Sequence, residues 1–320
     1  MAQQDNFTAR VTVFLEGLTY ITSDDFKIVQ KEFDVGEFHI RPRTQKDSSW
    51  VDMINPVTFY VATTDLLLPK LDALPPPEVY ERVDALITCL RLFKFGYIAP
   101  YPAIAKILSG TGQSTKQITQ FAFGSTARNP SGGLAYALFE KEIERLETFC
   151  GIVYPLFSSG PYVSLKTPAL RFYNRGVDDV TRGDHALAIV DFVSCMEALV
   201  SPGKQELRHR LSENVAMIVE RDPLQRQLLY DQCLDLYDDR SIVIHGGRLD
   251  GQASQKGATT AQVFAQRTLL FCISFYLAGK GQAEILKDIE MTIFGKKDTI
   301  TNSVPALMKM ADITDSPMRD

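Results

Sequence analysis

The stretch LYDDRSIVIHGGRLDG, residues 236–251, decides how the fold of this chain is interpreted. It has the character of a helix end, because two glycines, Gly246 and Gly247, follow its last apolar residues. Immediately before the glycines stands His245, one of four histidines in the chain, and Arg240 precedes it on the same predicted helix. A histidine in a last helical turn complements the helix dipole, but together with an arginine it also provides groups needed for phosphate chemistry. The remainder of the sequence has to distinguish these two interpretations.

The helix that ends at this stretch carries a charged residue on its apolar side. Asp222 is its predicted N-cap and Pro223 its first residue, just as Asp184 is predicted to cap an earlier helix. The apolar residues recur at helical spacing and form one inward stripe: Leu229, Cys233, Leu236, Tyr237 and Ile244. Arg240 falls on this stripe, close to three helical turns after its first member. An arginine in an apolar environment needs a partner or a ligand, since an unpaired buried charge is costly.

A second apolar helix, predicted over residues 184–200, offers partners for this arginine. Asp191, Ser194 and Glu197 recur every three residues on it and make a narrow polar ribbon on an otherwise apolar surface. We therefore expect Glu197 or Asp191 to face Arg240, so that both charges are satisfied. Such a contact is a buried ion pair that holds two helices in register.

The chain as a whole is predicted to have an α+β fold in two domains, a β-rich domain over residues 1–133 and an all-α helical bundle over residues 134–320. Alternating or β-branched runs predict strands at 9–21, 26–30, 35–40 and 57–64. A helix at 77–94 and a long loop at 97–133 complete the first domain. Seven helices are predicted in the second domain, at 134–157, 169–180, 184–200, 205–220, 221–247, 259–279 and 283–294.

Composition limits the class of protein and the kind of partner. The net charge of −5 gives no general attraction to nucleic acid or to an anionic membrane, so a nucleic-acid site would have to be a local basic patch. The five cysteines form no CxxC pair, which predicts buried thiols in a reducing cytoplasm and neither a zinc site nor a disulfide framework. The sequence shows no secretory signal and no apolar run long enough for a membrane span. We expect a cytoplasmic protein with no cofactor, no metal and no membrane contact.

Three segments together resemble the HEPN superfamily, in particular its Apea-like group. These segments are DFVSCMEALV at 191–200, with a Leu-Glu-x-Leu-like run at Met196 to Leu199, LRHRLSENVAMIV at 207–219, and LYDDRSIVIHGG at 236–247. The last segment is the most specific, because it fits the family's pattern of Arg, a polar residue, a short spacer, His and Gly. Here the pattern is occupied by Arg240, Ser241, His245 and Gly246. The resemblance covers residues 134–295, about half of the chain.

The resemblance implies a helical HEPN domain that forms a homodimer and cleaves RNA, such as tRNA or mRNA, without a metal ion. Metal-free cleavage uses the ribose 2′-hydroxyl as nucleophile, so one group must remove a proton and another must protonate the leaving oxygen. The resemblance assigns acid–base catalysis to His245 and phosphate binding to Arg240, and in the family these residues meet across the two-fold axis of the dimer. Many relatives act as toxin-like or antiviral defence effectors, and the β-rich domain would then have a sensing or recognition role.

Four further residues are expected to support this site. Ser241 could hydrogen-bond to phosphate or to the imidazole, and Glu197 or Asp191 would hold Arg240. Tyr237 is expected to lie in the core beside them. The sequence contains no GxSxG, HExxH or kinase signature that would indicate another chemistry.

The residues also leave a second function open, namely a non-catalytic HEPN module that binds RNA or nucleotide, or a dimeric scaffold. Asp238 and Asp239 favour it, because they would repel phosphate if they pointed into the site. An ideal helix also separates Arg240 and His245 by about 140° around its axis. Either the helix loosens at the glycines, or the two residues of one chain serve different parts of a dimeric site. His209, for which the sequence offers no partner, is expected at the surface.

Overall fold

The computed structural model describes residues 7–16, 18–21, 32–42, 60–68, 77–96, 98–109, 118–121, 136–158, 168–201, 206–296 and 305–311. The chain divides into two compact units, Met1–Tyr162 and Val163–Asp320. The described strands all belong to the first unit and most of the described helices to the second. The α+β layout predicted from the sequence is therefore confirmed.

Eight strands are described in the first unit: β1 (Phe7–Glu16), β2 (Leu18–Ile21), β3 (Phe33–Val35), β4 (Phe38–Pro42), β5 (Tyr60–Leu68), β6 (Ala99–Ser109), β7 (Ile118–Phe121) and β8 (Tyr136–Phe139). Six of them form an antiparallel sheet in the order β3-β4-β5-β1-β6-β7. β1 lies inside this sheet, hydrogen-bonded to β5 on one side and to β6 on the other. Its residues Val11, Val13 and Leu15 are buried, as the alternating pattern predicts.

Two parts of the first unit differ from the prediction. The region 97–133, predicted as a loop, contains β6 and β7. The segment LAYALF, predicted as the start of a helix, contains β8, which pairs in parallel with β2. Tyr136 and Leu138 are buried and alternate with half-exposed neighbours, so a short period-two pattern is hidden inside a longer apolar run. The predicted strand at 26–30 lies outside the described residues.

Two helices, α1 (Pro77–Phe93) and α2 (Ile143–Ser158), also belong to the first unit. α2 packs against α1 and against β3. Just before α2, the buried carboxylate of Glu142 accepts hydrogen bonds from Lys94 Nζ at 2.7 Å and from the Phe139 backbone N–H at 2.8 Å. These contacts tie β8 and α2 to the first unit, so the division between the units follows Tyr162 instead of residue 133.

The second unit is helical, with α3 (Ala169–Arg182), α4 (His185–Val200), α5 (Leu207–Val219), α6 (Pro223–Ile244), α7 (Gly251–Leu277), α8 (Gln282–Ile293) and α9 (Ala306–Met310). α4 is its central helix and packs against α3, α5, α6 and α7. The carboxylates of Asp222 and Asp250 cap α6 and α7 by accepting hydrogen bonds from N–H groups of the first turn. Asp184 occupies the N-cap position of α4, but its side chain makes no capping hydrogen bond. Because of the cap at Asp250, α7 begins at Gly251 and not at residue 259.

Apolar side chains fill the interior of both units. The five cysteines are all buried free thiols.

Of the helices that the structure describes, none is long and apolar enough by itself to cross a membrane. α7 and α8 meet that criterion only as a pair, and the pair is bent by 112°.

Candidate functional site

Two glycines fix the end of α6. Gly246 has a left-handed backbone with φ of 81°, and its N–H donates to the Val243 carbonyl at 3.0 Å. The N–H of Gly247 donates to the Ile242 carbonyl at 2.8 Å, which completes a Schellman motif. A Cβ atom on Gly247 would lie 2.5 Å from Ile242 Cγ2, so this position has no room for a side chain. The helix therefore ends sharply at His245.

Arg240 joins α6 to the central helix α4. Its Nη2 donates a hydrogen bond to Glu197 Oε2 at 2.9 Å, and the two side chains expose 21% and 18% of their surface. The guanidinium also lies over the ring of Tyr237, 5.6 Å from the ring centroid. Of the two acids that the sequence offered, Glu197 is the one that faces Arg240.

The Arg240–Glu197 pair leaves polar atoms unsatisfied. Among the described residues, Arg240 Nε and Glu197 Oε1 have no hydrogen-bond partner although both atoms are buried. Burial raises the pKa of Glu197 above its ordinary value, and the charge of Arg240 opposes that shift without cancelling it. A guanidinium carries about five N–H donors. Arg240 therefore retains N–H groups that could donate hydrogen bonds to a phosphate.

Asp191, the other predicted partner, pairs with Arg175 of α3. Arg175 Nε donates to Asp191 Oδ2 at 2.7 Å, and its Nη2 donates to the second carboxylate oxygen. Asp191 and Glu197 are six residues apart, which turns their side chains about 120° apart around α4. Asp191 therefore faces α3 while Glu197 faces α6. The expectation that Asp191 holds Arg240 is therefore wrong. Asp191 instead joins α4 to α3.

His245 lies on the exposed side of the helix end. Its backbone N–H donates to the Ser241 carbonyl at 3.1 Å, and its side chain is exposed. Ile242 and Ile244 expose 43% and 51% of their surface beside it. The prediction that Ile244 faces inward is therefore wrong, and this helix end carries an apolar surface next to an imidazole.

Within one chain, the two motif residues have different surroundings. Arg240 is half-buried against α4, whereas His245 is exposed, with about 140° of helix rotation between them. Ser241, which follows Arg240 in the sequence, is half-exposed. The structure thus brings Arg240, Glu197 and Tyr237 together but does not add His245 to that group.

The acidic residues in the second half of α6 have defined neighbours. Asp238 accepts two hydrogen bonds from Arg208 of α5, at 2.7 and 2.6 Å, which compensates its charge. Asp239 lies beside α7, with Oδ2 3.6 Å from the position of a Cβ on Gly257. Burial, followed by the charges of Asp235 and Asp238, raises the pKa of Asp239. The ion pair with Arg208 reduces the repulsion that Asp238 was expected to exert on a phosphate.

Two histidines have partners that the sequence did not reveal. His209 Nδ1 lies 2.8 Å from the hydroxyl of Tyr230, and His39 lies between the carboxylates of Asp34 and Glu32. The hydrogen bond to Asp34 is the largest cause of a raised pKa at His39. The connection between α5 and α6 is short, which predicts an antiparallel pair of helices. His209 and Tyr230 stand on either side of that connection, so their contact could have been expected on that basis.

Comparisons of this chain with known proteins found no match. The chain matches no protein-family model, no curated protein and no solved structure. In the part of the chain that the structure describes, no three His, Cys, Asp or Glu side chains are grouped so that they could hold a metal ion. The HEPN resemblance therefore rests on the three sequence segments alone.

Proposed function

We propose that the chain is a metal-independent endoribonuclease of HEPN type, with a composite active site at a homodimer interface. The observation that carries the proposal is the end of α6, where a fixed turn presents an exposed His245 after a half-buried Arg240. Histidine can accept and donate a proton near neutral pH. Arginine binds a phosphodiester through paired donors.

The chemistry needs more groups than one chain offers at this helix end. Attack of the ribose 2′-hydroxyl on the adjacent phosphate requires a base for the hydroxyl proton and an acid for the departing 5′-oxygen. A second copy related by a two-fold axis supplies a second His245, so that one imidazole acts as base and the other as acid. The exposed Ile242 and Ile244 provide apolar surface for that contact beside the histidine.

Arg240 binds the phosphate in this proposal, and neighbouring residues position it. Glu197 holds the guanidinium through one hydrogen bond and leaves other donors for the phosphate. The ring of Tyr237 lies against the guanidinium. The half-exposed Ser241 can donate a hydrogen bond to phosphate or to an imidazole. Two guanidinium groups then stabilise the charge that develops on the phosphate in the transition state.

Cleavage of RNA in excess EDTA tests the proposal. Unaltered protein and its His245→Ala variant are incubated with total cellular RNA, and the end groups of the fragments are determined. We expect 2′,3′-cyclic phosphate ends from the unaltered protein and a rate loss of about 100-fold or more in the variant. The matched control is His39→Ala, which removes an exposed histidine of the first unit and should leave cleavage unchanged. Equal cleavage by the unaltered protein and His245→Ala would contradict the assignment.

Mixing of chains tests whether two histidines act in one site. Unaltered and His245→Ala chains are exchanged at constant total concentration before the assay. If each site needs both imidazoles, activity falls with the square of the unaltered fraction, to about one quarter at equal amounts. A fall to about one half means that each chain acts alone, and the composite site is then rejected.

A non-catalytic module that binds RNA or nucleotide, or a dimeric scaffold, is the second candidate. The observation that favours it is the Arg240–Glu197 ion pair, because an arginine that joins two helices has a structural role without any substrate. Retention of RNA on a filter without cleavage would identify a binding module. If RNA is neither retained nor cleaved, the dimeric scaffold is the remaining candidate.

A further inference from the structure

A cleft lies among α5, the first turns of α6 and the end of α8, and its volume is about 410 Å3. The buried side chains of Ala216 and Met217 form an apolar floor. The polar residues around it are His209, Glu213, Arg226, Gln227, Tyr230 and Thr292. The cleft therefore combines a small apolar floor with mostly polar walls, which suits a ligand rich in hydrogen-bonding groups.

Two aromatic rings stand next to each other at this cleft. His209 Nδ1 and the Tyr230 hydroxyl are 2.8 Å apart and are joined by a hydrogen bond between α5 and α6. That bond restricts the orientation of both rings. Rings held in this way are suited to stacking against a planar ligand such as a nucleobase.

Arg226 presents a guanidinium that is already held in place. Its Nη2 donates to the Arg221 carbonyl at 3.0 Å, and its Nε donates to the Glu220 carbonyl at 3.4 Å. These two contacts leave Nη1 for an anionic ligand. A donor that is fixed before binding loses little conformational freedom when the ligand arrives, so it favours an anion at this point of the cleft.

Glu213 adds an acceptor of opposite charge. It follows His209 by one helical turn on α5, so the two side chains share a face of the helix. Its carboxylate is exposed, accepts hydrogen bonds from hydroxyl or amino groups, and repels a second anion. The complementary ligand has one anionic end, a planar body, and hydroxyl or amino groups that are separate from its charge.

We propose that this cleft binds a nucleoside monophosphate. The phosphate accepts hydrogen bonds from Arg226, the base stacks on the His209–Tyr230 pair, and a ribose hydroxyl or an exocyclic amine donates to Glu213. Inorganic phosphate would leave the aromatic pair and the carboxylate without contacts. The volume of the cleft lies within the range of about 300–1,000 Å3 in which small-molecule sites occur.

The cleft is separate from the proposed ribonuclease site. Tyr230 and His245 lie on the same helix, and the rise of an α-helix puts them about 22 Å apart along its axis. Binding in the cleft therefore does not depend on RNA cleavage, and a binding measurement can succeed or fail independently of the cleavage assay.

Isothermal titration calorimetry of the full chain with AMP, GMP, CMP and UMP tests the proposal. We expect saturable one-to-one binding of at least one nucleotide, with a Kd between about 1 μM and about 1 mM. Adenosine, inorganic phosphate and glycine serve as probes for the base, for the anion and for a zwitterion. Each should bind at least about tenfold more weakly than the best nucleotide, because each reaches only part of the cleft.

Three variants locate the binding. Arg226→Lys keeps the charge but loses the planar donors, and Tyr230→Phe keeps the ring but loses the bond to His209; each should weaken binding by about tenfold or more. Gln232→Ala, exposed on the same helix and outside the cleft, is the control and should bind normally. Thermal unfolding verifies that each variant is folded. Absence of saturable binding by all four nucleotides, binding by both Tyr230→Phe and Arg226→Lys as tight as by the unaltered chain, or tighter binding of phosphate or glycine overturns the proposal.

Discussion

Two opposing effects act on the pKa of Glu197 at the centre of the candidate site. Burial raises the pKa of its carboxyl, and Arg240 at 2.9 Å lowers that pKa by less than burial raises it. The net effect is that folding disfavours the charged carboxylate even though an arginine is in contact with it. Glu197 therefore contributes to the unit through its hydrogen bond to Arg240 and not through a favourable charge of its own.

Comparison of the pH dependence of unfolding for the unaltered protein and Glu197→Gln tests this conclusion. Because the pKa of Glu197 is higher in the folded than in the unfolded chain, the unfolded chain releases the proton first as pH rises. The contribution of Glu197 to the free energy of unfolding should then fall from about pH 4 upward and become constant above the folded pKa. Denaturant unfolding at several pH values measures the difference between the two chains. A difference that rises with pH would mean that the attraction of Arg240 outweighs burial.

Helical spacing predicted some contacts of single residues and not others. A position among apolar residues was enough to predict that Arg240 needs an acid, and Glu197 is that acid. The separate pairing of Asp191 with Arg175 depends on where α3 lies around α4, which spacing on one helix does not contain. Asp238 is similar, because its partner is on a different helix. Spacing left two candidate acids for Arg240, and only the packing of the helices decides which acid meets which arginine.

At the scale of elements, the two ends of α6 were more predictable than the strands β6, β7 and β8. Asp222, Pro223 and the paired glycines marked both ends of α6, because caps and left-handed turns have strong residue preferences. β8 was missed because four alternating residues preceded a long amphipathic helix without a turn signal between them. β6 and β7 were missed because prolines, glycines and polar residues in and around them predict loops.

Substitution of the α6 glycines tests the Schellman motif. Gly246→Ala places a Cβ on a backbone with φ of 81°, and we expect a loss of about 1 kcal/mol in the free energy of unfolding. Gly247→Ala should lose at least as much, because its Cβ would meet Ile242 Cγ2 at 2.5 Å. The control is Gly251→Ala at the start of α7, where nothing lies within 4 Å, and denaturant unfolding should find it neutral or stabilised. Equal losses at the three positions would argue against a specific turn.

The two N-caps predicted by the sequence should differ in strength. The carboxylate of Asp222 accepts a hydrogen bond from the Leu224 N–H at 2.9 Å, whereas Asp184 makes no capping bond. We expect Asp222→Ala to lower the free energy of unfolding by about 1 kcal/mol and Asp184→Ala to change it by less than about 0.5 kcal/mol. Thermal or denaturant unfolding of both variants makes the comparison. Equal losses would show that the residue type, and not the hydrogen bond, determines the effect.

For the molecule as a whole, the proposed function requires association through the end of α6. Ile244→Asp places a carboxylate on the apolar surface beside His245, and a two-fold contact contains that change twice. We expect the dimer to weaken by about 2–3 kcal/mol, or about 30- to 150-fold in Kd, as measured by sedimentation. Leu224→Asp alters an equally apolar residue, 81% exposed, at the other end of α6 and should leave the dimer intact. Dissociation by Leu224→Asp alone would move the interface away from the proposed site.

The connectivity of the first unit has a consequence for synthesis on the ribosome. β2 pairs with β8, from Leu18 with Tyr136 to Ile21 with Phe139, although more than a hundred residues separate the two strands. β1 likewise has both its neighbours, β5 and β6, later in the chain. At the usual speed of translation, about 5–20 residues per second, the first strands emerge roughly ten seconds before their last partner. During that interval β2 lacks β8 and β1 lacks β6, so nascent-chain chaperones have a defined period in which to bind the two strands.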